Sequence, residues 1–146
     1  VKQENLTMKQ LIVPVTMIAL LALAGCAGVK GPSDLDLVKQ TCDAWGKALV
    51  AKDVQGVLAT MSEDFSSSQV ASREALGELL QDAIDSGYLE EAEVSFTQAQ
   101  YTAEQDGTYT VYPVDLASAA GAVSAELKLK KVDKKWLISG LEVDGL

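Results

Sequence analysis

The spacing of apolar residues changes twice along this chain. From Leu11 to Ala24 they run on with only Pro14 and Thr16 between them. From Leu35 to Ile84 they recur three and four apart, and after Gly87 they alternate, which are the periods of an amphipathic helix and of a half-buried strand. Leu35, Val38, Cys42, Trp45 and Leu49 make one stripe, predicting a first helix from about Asp34 to Ala51. Ser33 is its N-cap, and Asp36 three residues on completes a short capping box. Asp53 caps a second, short helix through about Thr60 that buries Val54, Val57 and Leu58. Met61–Phe65 then leaves the helix, and Ser66–Ser68 reads as loop. Ser72 caps a third helix with Leu76, Leu79, Leu80, Ala83 and Ile84 on one face. Gly87 stands where a left-handed residue ends such a helix.

Beyond Gly87 four strands are predicted, Glu91–Glu104, Thr108–Ser118, Ala122–Val132 and Lys135–Val143. The turns between them fall at Asp106-Gly107, Ala120-Gly121 and Asp133-Lys134, of which Asp-Gly is a strong hairpin signal. In the third strand Val123, Ala125, Leu127 and Leu129 alternate with Ser124, Glu126, Lys128 and Lys130, so one face is buried and the other wet. Trp136 and Ile138 continue the buried face, and a bulge at Gly140 lets Leu141 and Val143 turn inward. The expectation is an α+β domain over residues 34–146, with three N-terminal helices packed on one face of a curved four-stranded antiparallel sheet.

The first apolar run is about 14 residues, short of the roughly 20 that span a bilayer. With Lys9 before it and small residues after it, it has the layout of a secretory signal peptide over residues 1–25. Met8 is a plausible initiator, so Val1–Thr7 is either a misassigned start or an extended leader. Leu23-Ala24-Gly25-Cys26 resembles the bacterial lipobox. The resemblance implies that Cys26 is acylated, that the mature chain begins there, and that residues 26–33 are a tether reaching at most about 25–30 Å. Two or more acyl chains hold a protein firmly at a membrane. Ala27, rather than Asp, after the cysteine resembles outer-membrane sorting in a diderm host; in a monoderm host the site is the outer face of the plasma membrane.

Charge narrows the partners. The formal net charge is −9, and between Asp53 and Glu126 the only basic residue is Arg73. A phosphate backbone is repelled by such a surface, which excludes nucleic acid. Lys128, Lys130, Lys131, Lys134 and Lys135 then cluster; they suit a solvated hairpin edge that resists edge pairing, or contact with anionic headgroups or an acidic partner. With Cys26 lipidated, Cys42 has no partner within the chain and reads as a buried apolar residue. No phosphate loop, Cys-x-x-Cys pair or calcium loop occurs, and no cofactor or metal is expected.

The order of elements resembles a known superfamily. The Trp45 helix, the Lys52-Asp53-Val54 turn, Met61-Ser62-Glu63-Asp64-Phe65, the capped third helix and the closing Lys134-Lys135-Trp136-Leu137-Ile138 are similar to the nuclear transport factor 2-like, or cystatin-like, cone. The resemblance covers Asp34 to Val143, and with the lipobox it extends to small bacterial lipoproteins built on one such cone. It implies a space between curved sheet and helices, used by some members for isomerase or dehydratase chemistry and by many for binding.

The chain has no histidine, which removes the commonest base near neutral pH. A histidine-free isomerase- or dehydratase-like enzyme needs a carboxylate base and a phenol donor; Asp115 with Tyr112, or with Tyr109, supplies the residue types. Strand parity leaves two alternatives open: Asp115 points inward with Tyr109 and Val111, or Tyr112, Val114 and Leu116 are the buried set. The binding alternative is a cavity for a small apolar ligand lined by Trp45, Phe65, Tyr88, Phe96, Tyr112 and Trp136, with Gln98 and Gln100 orienting it; the same aromatics equally fill a core. A third class is interaction with an envelope protein or a second copy through the exposed sheet face. A non-enzymatic binding or interaction module is the expected function.

Overall fold

Every predicted helix forms where its cap stands. The computed structural model describes residues 31–145; the expected signal peptide, the acylation site Cys26 and most of the tether lie outside them. Helix α1 spans Asp34–Val50, α2 Val54–Ala59 and α3 Arg73–Asp85. At α1 the Ser33 Oγ accepts from the Asp36 N–H (3.2 Å) while Asp36 Oδ2 accepts from the Ser33 N–H (3.0 Å), satisfying two of the donors a helix start leaves free. Asp53 Oδ1 accepts from Gly56 N–H at 2.9 Å, and Ser72 Oγ from Ala75 N–H at 3.1 Å. Gly87 follows α3 with φ +77°.

The sheet differs from the expectation. It has six strands, not four, and it is mixed: β1 (Met61–Ser66), β2 (Glu93–Ser95), β3 (Gln100–Ala103), β4 (Tyr109–Ser118), β5 (Gly121–Val132) and β6 (Lys135–Asp144). The order is β1-β6-β5-β4-β2, with β3 also on β4, and β1 runs parallel to β6. Met61–Phe65 therefore joins the sheet, led in by the Ile138 N–H donating to the Thr60 carbonyl at 2.9 Å. Its partner lies far downstream, and Met61 and Ser66 pair with Ile138 and Gly140, so the residues between bulge away and the alternation that marks a strand is absent. Glu91–Glu104 divides into β2 and β3 at a turn closed by the Ala99 N–H on the Phe96 carbonyl (3.0 Å). No glycine or proline punctuates that turn.

Two bulges set which side chains face the helices. On β6, Gly140 pairs with Lys128 and Ile138 with Leu129, so Ser139 is extra. Trp136 and Ile138 point inward before it, and Leu141 and Val143 pack on the core after it, as the Gly140 reading predicts. On β4, Val111 pairs with Leu127 and Val114 with Ala125; Tyr112 and Pro113, joined by a cis peptide bond, together oppose one residue. Val111 and Val114 are both fully buried as a result. They meet Val38, Cys42, Trp45 and Leu49 of α1 in one core with Ala125, Leu127, Leu129 and Ile138.

Candidate functional site

The β4 bulge decides between the two parities of Asp115. Because the strand slips one residue at Tyr112-Pro113, the inward set changes from Tyr109 and Val111 to Val114 and Leu116. Asp115 then faces away from the helices. Cross-strand pairing sets Ser95, Asp115, Ser124 and Asp144 in one row across β2, β4, β5 and β6. Ser124 Oγ donates to Asp115 Oδ1 at 3.2 Å. Tyr112, also outward and 42% exposed, donates its hydroxyl to Asp144 Oδ2 at 2.9 Å.

These groups and Glu93 line an open depression of about 700 Å³ on the outer sheet face, floored in part by Ala117, Ala122 and Val123 and lined by no basic residue. The Asp144 carboxylate accepts a hydrogen bond from the Tyr112 hydroxyl and opposes a phenolate beside it, pushing the phenol above its ordinary value. Tyr112 therefore stays a protonated donor at neutral pH. Asp115 and Tyr112 share the depression but not a hydrogen bond: one accepts from Ser124, the other donates to Asp144. Nothing in the sequence singles out Asp144 or Glu93. Both lie on stretches where alternating carboxylates look like any wet strand face.

The remaining aromatic candidates do not gather in one place. Trp45, Phe65 and Trp136 are core residues, each under 5% exposed, and Tyr109 meets Trp136 edge to face with ring centroids 5.2 Å apart. Phe96 borders a separate depression of about 370 Å³ with Val94, Lys47 and Val50. Tyr88 is 60% exposed after α3, and Gln98 sits exposed in the β2–β3 turn. Trp136 lines a groove of about 280 Å³ with Leu37, Thr41 and Thr60, just under the roughly 300 Å³ at which small-molecule sites begin. Gly46 closes the Phe96 side of α1. A Cβ there would stand 3.2 Å from Val94 Cγ1 and 3.3 Å from Phe96, so the missing side chain lets β2 press onto α1.

At the other end of the strands a second polar group ties α1 to the β5–β6 hairpin. Asp34 Oδ1 accepts from Lys131 Nζ at 2.8 Å and from Trp136 Nε1 at 3.0 Å. The Lys131 ammonium, then the indole N–H, hold the Asp34 carboxyl below its ordinary range. Thr41 Oγ1 donates to the Trp136 carbonyl at 2.7 Å, and Lys130 pairs with Asp64, whose carboxyl it likewise depresses. Nothing in the sequence signals these pairings, since the partners lie far apart along the chain. Cys42 is fully buried, and burial pushes its thiol up to about 12, which removes the thiolate a nucleophile needs. No described helix is long and apolar enough to cross a membrane.

No family model matches this chain, and no curated protein matches it. Solved structures do. A protein with a cystatin-like fold from Nostoc punctiforme superposes with a TM-score of 0.60 at 17% identity, over 80% of this chain and 96% of its own. A nuclear transport factor 2-like protein from Shewanella oneidensis gives 0.59 at 16% identity, over 76% and 98%. A protein from Novosphingobium aromaticivorans named as a candidate scytalone dehydratase gives 0.59 at 11%, over 75% and 81%. At these identities the likeness is one of fold: this domain has the nuclear transport factor 2-like, cystatin-like α+β fold.

Proposed function

We propose that this chain is a lipid-anchored protein of the extracytoplasmic membrane face whose domain is a non-enzymatic binding module, and that it binds on the outer face of the sheet. The observation that carries this reading is the filled interior. Trp45, Phe65 and Trp136 occupy the core between sheet and helices, while the outer face holds the depression of about 700 Å³. Three carboxylates, Glu93, Asp115 and Asp144, with the hydroxyls of Ser95, Tyr112 and Ser124 and no basic residue, suit a cationic group. An exposed tyrosine adds an aromatic surface that a lysine or arginine can cover. The partner is a basic segment of another envelope protein. A second copy fits this face less well, because pairing about a two-fold axis brings like charges together, and like charges directly opposed destabilise a sheet contact.

The test is binding of the full chain to a lysine-rich peptide at low salt. Asp115→Asn with Asp144→Asn is expected to weaken it about tenfold, as loss of charge-assisted hydrogen bonds does. Unchanged binding, or equal binding of a glutamate-rich peptide, overturns the reading. For the anchor, Cys26→Ala is expected to abolish partitioning into detergent; unchanged partitioning removes it. The alternative is an isomerase- or dehydratase-like enzyme with Asp115 as base and Tyr112 as donor, in line with the name of one structural neighbour. The observation in its favour is that both residues line one depression. Turnover of a ketosteroid or a scytalone-type substrate that Asp115→Asn abolishes would establish it.

A further inference from the structure

The described domain begins beside its own lysine cluster. Helix α1 starts at Asp34, whose carboxylate is held by Lys131 and by Trp136 Nε1, and the Ser33–Asp36 capping box fixes the direction in which the chain enters. The point of entry is thus pinned to the β5–β6 hairpin. Cys26 lies eight residues upstream of Asp34, within about 25–30 Å even if that stretch is fully extended.

The chemistry of this end differs from the rest of the domain. Lys130 and Lys131 neutralise Asp64 and Asp34. Lys134 and Lys135 are exposed at the hairpin tip, and among the described residues they form no ion pair. Asp133 stands beside them in the sequence, and Asp106 of the neighbouring β3–β4 turn lies near Lys128. The acidic depression lies at the far end of the same strands: from Ser124 to Asp133 along β5 is roughly 30 Å.

We propose that the β5–β6 hairpin is the membrane-facing end of this domain, with Lys134 and Lys135 resting on anionic phospholipid headgroups and the acidic depression held away from the bilayer. The inference rests on the anchor at Cys26. A bilayer surface rich in anionic lipid attracts each nearby lysine by about fivefold in population. It repels the acidic remainder of the domain, in which Arg73 is the only basic residue between Asp53 and Glu126, when presented by any other side. Tether and charge therefore select the same orientation.

The experiment is hydrogen exchange on the full, membrane-anchored chain in vesicles of equal parts phosphatidylglycerol and phosphatidylcholine, against phosphatidylcholine alone. Exchange in the hairpin 131–136 is expected to slow several-fold on the anionic vesicles, with the opposite turn 118–121 unchanged. Lys134→Glu with Lys135→Glu is expected to abolish the slowing while leaving the thermal midpoint in detergent unchanged. Equal exchange on both vesicles, or slowing that survives the double charge reversal, overturns the proposal. The mass of Cys26 is read on the same sample. If that thiol is bare, the anchor reading fails by itself, and the orientation is tested on the chain coupled at Cys26 to a maleimide phospholipid; buried Cys42, with its thiol pushed up to about 12, does not compete for the reagent.

Discussion

The two ends of the β4–β5–β6 sheet are built from the same strands and behave as opposites. At the hairpin end polar groups are spent on holding the fold: Lys131 and the Trp136 indole donate to Asp34, Thr41 donates to the Trp136 carbonyl, and the large rings are buried. At the far end the polar groups bond sparingly within the sheet and face solvent around an open depression. The difference lies in what each end packs against. Helix α1 begins over the hairpin and covers it, whereas among the described residues no element covers the outer face of β2, β4, β5 and β6 at the other end. Polar groups that meet a second layer become structural, and those that do not stay free to face solvent.

This contrast can be broken most severely at Trp136. The ring is 4% exposed and touches Tyr109, so Trp136→Ala is expected to cost about 3–5 kcal/mol in denaturant unfolding. A cost below about 1 kcal/mol would mean that the hairpin end is not a packed unit. Thr41→Val deletes the hydroxyl that ties α1 to the Trp136 carbonyl; about 1 kcal/mol is expected, and no change would show that the tie is redundant.

Acid stability sharpens the comparison further. Asp34 titrates lower in the folded chain than its ordinary value, because Lys131 and Trp136 bind its charged form. A depressed carboxylate contributes stability that is present above its unfolded value and lost as pH falls through the folded one. Asp34→Asn should therefore lower stability at neutral pH and flatten the acid limb, and salt should shrink the difference because the pair is exposed. An identical acid limb in both chains would contradict this. The smallest effect belongs to the far end. Tyr112 titrates above its ordinary value on account of Asp144, so the contribution of that bond is present below the unfolded value and lost as pH rises through the folded one. Asp144→Asn should bring one tyrosine down in an ultraviolet titration and leave the denaturation midpoint unchanged, as exposed substitutions do. A large loss of stability would make the depression structural.

Local chemistry was legible wherever it acts within a few residues. The three caps, the left-handed Gly87, the Asp-Gly turn and the bulge beside Gly140 all follow from side chains that bond or relax the backbone beside them. β1 was hidden because Met61–Ser66 pairs with a strand still to come and keeps no alternation. The β2–β3 break was hidden because Phe96–Ala99 carries no turn residue. Asp115 was ambiguous for a sharper reason. Pro113 has no N–H to give a sheet ladder and so favours a bulge or an edge, yet only the pairing of Val111 with Leu127 and Val114 with Ala125 shows that the slip occurs and which face it leaves to the carboxylate.

By itself, then, the sequence determined the helices, the hairpin turns, the inward face of β5 and the acidic balance of the chain, since periodicity, capping and charge are properties of neighbouring residues. The tertiary structure decided the sixfold mixed sheet, the closed interior, the bond between Asp34 and Trp136 and the outward turn of Asp115. Those depend on which distant segments meet, and a one-residue slip in that meeting moves a side chain from one face of a sheet to the other.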